Sequence, residues 1–215
     1  MEKLRKLLRG VCVMILFSSC QQFGSSNAAM PHIPPPSDSC DDPDAAIECY
    51  FINGPKNLNS ILTIGDKTEP GERLIISGTV VKSDGKTPYS GVVLYAYQTD
   101  SKGYYSKNGK ERGVQKWHGK LHGWCKTNKN GYYEIHTIKP APYADSSMPA
   151  HIHAAIKLPD SQKAFHISDY VFKNHFLVNE KYESCLIKNI GWPGIIELKK
   201  DKDSVWRGSR NITVK

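Results

Sequence analysis

An all-β fold, an antiparallel β-sandwich with long connecting loops, is what this sequence predicts, and three observations predict it. From Gly71 onward, short runs rich in β-branched and aromatic residues recur. Turn signals such as Asp84-Gly85 and Asn130-Gly131 separate them. No convincing amphipathic helix longer than two turns interrupts the series.

Taken in order, residues 21–47 are rich in Ser, Asn, Pro and Asp, with Pro34-Pro35-Pro36 in the middle, a composition suited to a linker and unable to bury a core. Residues 48–70 form a mixed lead-in. The first strand is 73–81 (RLIISGTVV), and Asp84-Gly85 turns it towards a second at 91–98 (GVVLYAYQ). A Gly- and Lys-rich loop covers 100–119. A short strand at 123–127 and the Asn130-Gly131 turn lead into 132–138 (YYEIHTI). Prolines punctuate the loop 139–149, and 151–158 (HIHAAIKL) is the next strand. Strands at 165–172, 194–199 and 206–214 complete the set. No internal repeat is visible, and 215 residues suit one domain, 48–215, with short appendages.

The net charge of +8 overstates the working surface. Lys3, Arg5, Lys6 and Arg9 stand against Glu2 in the first nine residues, which removes +3 and leaves +5. The remaining lysines are scattered, many beside Asp or Glu, and no Arg-rich run with interleaved aromatics occurs, so nucleic acid is not an expected partner.

Residues 1–20 read as an export signal. A basic stretch precedes a short apolar run, 11–17, far below the roughly 20 residues of a membrane span. Ser18-Ser19-Cys20 then resembles a bacterial lipoprotein signal, with Cys20 as the site of a lipid anchor and Phe17 where Leu is usual. Cleavage near Asn27-Ala28-Ala29, giving a free periplasmic or secreted protein, is the alternative. Export places Cys40, Cys49, Cys125 and Cys185 in a disulfide-permissive compartment. Three pairings are open to them, of which Cys40–Cys49 closes a short loop; four reduced thiols is the alternative.

The chemistry concentrates at His151-Ile152-His153. Residues i and i+2 of a strand share a face, so two imidazoles about 7 Å apart along it can chelate one metal ion. Tyr143 lies eight residues upstream, in a loop held by Pro140 and Pro142. A phenol, with a pKa near 10, is held as phenolate at neutral pH only by a hard, strongly Lewis-acidic cation, and ferric iron suits such an O/N donor set. For Tyr104, Tyr132 and Tyr133, packing in strand or loop is the expectation.

Residues 69–153 resemble the intradiol ring-cleavage dioxygenases, the ferric catechol and protocatechuate dioxygenase family. The pieces that match, in order, are Glu69-Pro70-Gly71-Glu72, Ile76-Ser77-Gly78-Thr79-Val80, Tyr97-Gln98-Thr99-Asp100 with Gly103-Tyr104-Tyr105, Lys126-Thr127-Asn128 with Asn130-Gly131-Tyr132-Tyr133, Thr137-Ile138-Lys139-Pro140-Ala141-Pro142-Tyr143, and Pro149-Ala150-His151-Ile152-His153. The resemblance implies an Fe(III) cofactor held by Tyr105, Tyr143, His151 and His153, with Tyr143 and His151 axial. It implies a catechol-type substrate and O2, cleavage between the two hydroxylated carbons to a muconate-type diacid, and a catalytic role for Tyr143, which takes up a substrate proton. The long loops then carry the active site.

Two positions depart from the family. Met148 stands where an Arg commonly precedes Pro-Ala-His, and Asp169 or Ser168 is nearest to a Gln often found in the strand after the His pair. Arg112 is a candidate cation for the pocket, with an exposed loop position the alternative. His118, His122, His136, His166 and His175 have no motif support and read as structural or surface residues. A non-catalytic, prealbumin-like module is the rival reading, favoured by the Gly78–Val92 strand–turn pattern, but it gives no reason for two tyrosines and two histidines to occur together. A zinc hydrolase is disfavoured by the donor set and by the absence of HExxH.

Overall fold

The computed structural model describes residues 40–145, 148–190 and 194–214. The export signal 1–20, with Cys20, and residues 21–39 of the linker lie outside the described residues.

The fold is a β-sandwich. One sheet carries β1 (Ile61–Thr63), β5 (Tyr132–Ile138), β2 (Arg73–Val81), β10 (Trp206–Ser209) and β9 (Lys199–Lys200) in that order, with β11 (Ile212–Thr213) also on β2. The other runs β4 (His122–Lys126), β3 (Val93–Gln98), β6 (His151–Lys157), β7 (Ala164–Phe172), β8 (Ile195–Ile196). The strands expected at 73–81, 91–98, 123–127, 132–138, 151–158 and 165–172 are all present within a residue or two.

Strand alternation explains how the sheets close. Along β2, Leu74, Ile76 and Val80 are fully buried while their neighbours are half-buried. They meet Tyr133 and Ile135 of β5 and, across the sandwich, Leu94 and Ala96 of β3, Ile152 and Ile156 of β6, and Tyr170 and Phe172 of β7. Each such aliphatic side chain stabilises the fold by roughly 1.5–3 kcal/mol through the area it removes from water.

One expectation is refined by detail and two need correction. The main ladders β2–β5, β3–β4, β3–β6 and β6–β7 are antiparallel, but β1 joins β5, β10 and β11 join β2, and β8 joins β7 in parallel. These additions are short segments, whose direction is set by where their long connections land, not by local pattern. Second, a three-turn helix is present. α1 (Gln115–His118) is one turn, but α2 (Glu180–Ile190) has 11 residues. The Asn179 side chain accepts from the Tyr182 N–H at 3.0 Å, and Glu180 and Glu183 favour the positive end of the helix. Third, residues 40–47 are not a free tether. Cys40 pairs with Cys49, with 5.3 Å between their Cα atoms, and both are buried. The disulfide supplies a tie that composition does not reveal.

That tie builds a second, smaller core. A 3-10 turn, Ile47–Phe51, lays Tyr50 on the outer face of the β3–β6 sheet, against Tyr95, Ala155 and Val114. Trp124 Nε1 donates to the Tyr50 carbonyl at 2.7 Å.

Candidate metal centre

Each of the four expected site residues is positioned by a different local device. β6 presents His151 and His153 on its outer face, while Ile152 between them enters the aliphatic core. Tyr143 follows β5 on the proline-rich loop. That loop is anchored by the buried Gln98, whose Nε2 donates to the Ile138 carbonyl at 2.9 Å and whose Oε1 accepts from Thr137 at 3.0 Å. Tyr105 sits on the loop after β3, organised by Asp100. The Asp100 Oδ1 accepts from the Lys102 and Tyr104 N–H groups and its Oδ2 from the Ser106 hydroxyl. Burial pushes the Asp100 carboxyl up, but these hydrogen bonds outweigh it and hold the group below the ordinary carboxylate value.

Gly103 brings the two tyrosine loops together. Its φ is +85°, and a Cβ there would lie 2.2 Å from the Pro142 carbonyl oxygen. Only glycine allows that approach.

The four side chains converge. Tyr105 Oη lies 2.9 Å from Tyr143 Oη, Tyr143 Oη 3.1 Å from His153 Nε2, and His153 Nε2 3.0 Å from His151 Nε2. Adjacent donors at right angles around a transition-metal ion, each about 2.1 Å from it, stand about 3 Å apart. The tautomers point the same way. His151 Nδ1–H donates to the Pro149 carbonyl at 2.6 Å, and His153 Nδ1–H to the Asp169 carboxylate at 3.0 Å. Both Nε2 atoms therefore turn lone pairs towards each other at 3.0 Å, an arrangement that calls for a cation between them.

The electrostatics agree. Burial lowers the His151 pKa, keeping it a neutral ligand. Burial also raises both tyrosine pKa values, so the phenols stay protonated unless a highly charged ion compensates. Asp169 stays ionised: burial raises its pKa, but the His153 hydrogen bond and the nearby imidazoles bring it below the ordinary value.

Behind the donors lies a stack of rings that sequence reasoning missed. Tyr97 pairs with His153 in the β3–β6 register and stacks on its ring at 4.6 Å. His118 stacks on the other side of Tyr97 at 3.7 Å, and Tyr50 meets His118 edge-on at 4.7 Å. Burial takes the His118 pKa down to about 3, so it is a neutral packing ring. The period-2 alternation of Tyr95 and Tyr97 was the available signal; the pairing partner was not.

The remaining candidates fall elsewhere. Arg112 is exposed, with its carbonyl bonded by Asn53. Met148 is 40% exposed. Tyr104 is exposed, Tyr132 bonds Glu134, and Tyr133 is core. His122 donates to the Gly119 carbonyl, His136 meets Glu134, His166 packs on Tyr50 and His175 on Phe176. Two surface clefts of about 320 and 350 Å³ contain none of the four converging residues. The four converging atoms enclose a space of ionic size.

Comparison with known proteins bears on the family and the fold. Residues 48–186 fit the family model described as dioxygenase. The structure is similar to 3-chlorocatechol 1,2-dioxygenase from Rhodococcus opacus 1CP, at 25% identity and a TM-score of 0.56, over 76% of this chain and 68% of that one. The dioxygenase domain of a carbohydrate-binding fusion protein from the cellulolytic bacterium Streptomyces sp. SirexAA-E shares the fold at 18% identity and a TM-score of 0.55, over 76% and 95% of the two chains. An intradiol ring-cleavage dioxygenase from Tetranychus urticae does so at 19% and 0.52, over 75% and 89%. The chain belongs to the intradiol ring-cleavage dioxygenase family.

Proposed function

We propose that this protein binds one ferric ion through Tyr105, Tyr143, His151 and His153. With O2, it opens a catechol-type ring between the two hydroxylated carbons, giving a muconate-type diacid. The observation that carries the reading is the convergence of two phenol oxygens and two inward-facing imidazole nitrogens at 2.9–3.1 Å spacings. The likeness to a chlorocatechol dioxygenase at 25% identity supports the substrate class.

When bound, a ferric ion supplies the Lewis acidity that makes a catecholate reactive towards O2. The chain's own residues do the rest. Pro149 and Asp169 fix the two imidazoles in the tautomer that directs Nε2 inward. Tyr143 Oη, as phenolate, accepts one of the two protons the catechol must lose, and the hydroxyl so formed can donate to Tyr105 Oη, 2.9 Å away. The Tyr97 ring under His153 excludes water from that side. Met148 brings no positive charge to the loop before His151.

We further propose that the protein is exported, with Cys20 as its lipid-anchor site. The composition of residues 1–20 supports this, as does the Cys40–Cys49 disulfide, a bond suited to an oxidising compartment.

The test is the visible spectrum of the ferric-loaded protein, before and after anaerobic addition of catechol. A broad tyrosinate-to-iron band that shifts with catechol is expected, followed by oxygen uptake on admitting air. A protein that stays colourless with ferric iron would overturn the reading in favour of a non-catalytic module.

A further inference from the structure

We propose that Asp169 is a positioning residue of the metal centre, which holds His153 through Nδ1 and lends it negative charge, so that the bound ferric ion resists reduction and is held more tightly. The inference rests on the ferric reading above, and deepens it by separating the roles of the two histidines.

The two imidazoles have unlike outer partners. His151 is held by a neutral carbonyl, that of Pro149, at 2.6 Å. His153 is held by a carboxylate, Asp169 Oδ1, at 3.0 Å. An ionised carboxylate only accepts, so the proton resides on Nδ1 and the Nε2 lone pair is committed to the donor cluster. A carboxylate partner makes a ligating imidazole more basic than a carbonyl does, and hence a stronger donor.

The backbone is arranged to deliver that carboxylate. The β6–β7 ladder pairs Ala154 with Ile167 but Ile152 with Tyr170, leaving Ser168 and Asp169 opposite the single residue His153. This is a β-bulge, a feature that re-aims side chains. Were the Ala154–Ile167 register continued past this point, Ser168 would face His153, and Asp169 would pair with Ile152 and turn its carboxyl into the aliphatic core.

The bulge is held from behind. Arg210, only 7% exposed, donates from Nη1 to the Ser168 carbonyl at 2.6 Å, and its guanidinium lies 4.6 Å from the centre of the Tyr170 ring. Gly194, at φ +60°, passes so close that a Cβ would stand 2.1 Å from the Asp169 carbonyl oxygen. A buried arginine and a glycine thus fix the one register shift that puts a charge beside His153. The Asp169 side chain is 31% exposed, so substitution there need not collapse the core.

The experiment compares wild type, Asp169→Asn and Asp169→Glu, each loaded with ferric iron alone, without catechol. Asn keeps an acceptor and the volume but removes the charge. The Asn variant is expected to bind ferric iron about 10–100-fold more weakly, the usual cost of losing an outer partner. Its tyrosinate-to-iron band should move to longer wavelength, because a more electron-poor ferric ion takes up tyrosinate charge at lower energy, and its reduction potential should rise. The Glu variant should return the band towards the wild-type position. Wild-type affinity, band and potential in the Asn variant would overturn the role of Asp169 while leaving the ferric site standing. A wild type that takes up no ferric iron would overturn the site itself. Should the Asn variant bind too weakly for spectroscopy, the melting temperature of the metal-free proteins decides. An unchanged value supports the proposal. A lowered one, with no recovery of the band in Asp169→Glu, reduces Asp169 to a packing residue and overturns it.

Discussion

The two faces of β6 are one residue apart and obey different rules. Inward, Ile152, Ala154 and Ile156 are closed into hydrocarbon, and shape is nearly all they contribute. Outward, His151 and His153 meet rings and a carboxylate, and atom identity and tautomer decide everything. The inner face gives the strand its stiffness. The outer face uses that stiffness to hold two nitrogen lone pairs 3.0 Å apart, which no flexible loop would maintain.

Substitutions on either side can break this contrast. The largest effect is expected from His153→Ala, which should abolish the tyrosinate-to-iron band and lower oxygen uptake with catechol well beyond 100-fold, a loss larger than removal of an outer partner causes. The metal-free protein should still fold, as circular dichroism would check. Ile152→Ala should do the reverse, costing about 2–5 kcal/mol in urea unfolding through the cavity it leaves, while the folded fraction keeps the band at its wild-type wavelength. If Ile152→Ala moved the band, the two faces would not be separable in this way. The smallest effect is expected from Cys40→Ser with Cys49→Ser. Releasing a loop this short should cost about 2–3 kcal/mol in thermal or urea unfolding.

The same contrast explains what could be read from the chain. Six strands of the sandwich were legible because alternation is a local property: Leu74, Ile76 and Val80 announce their face by spacing alone. The four side chains that converge were legible because they lie in short, ordered motifs. Asp169 was visible only as one of two near matches, with Ser168, to a family glutamine. Its approach to His153 depends on a register shift that involves a glycine and an arginine 25 and 41 residues downstream. Tyr97 and His118 were hidden for a related reason, since stacking partners are set by cross-strand register and loop closure. α2 was missed although its start was written in Asn179, Glu180 and Glu183. Its apolar positions 182, 186, 187 and 190 repeat with a helical period, in a stretch that reads as connection between strands.

The cap made by residues 40–51 bears on how the protein can be handled. The family match begins at residue 48, so a shortened version cut there would seem natural. Such a cut would discard Cys40, strand Cys49 without its partner and loosen Tyr50 from the rings behind the donor cluster. Tyr95 and Trp124 would then be offered to water, and to one another's copies, as a sticky aromatic surface. Any shortened version has to keep Cys40 with Cys49, and the host that makes it should allow these cysteines to oxidise.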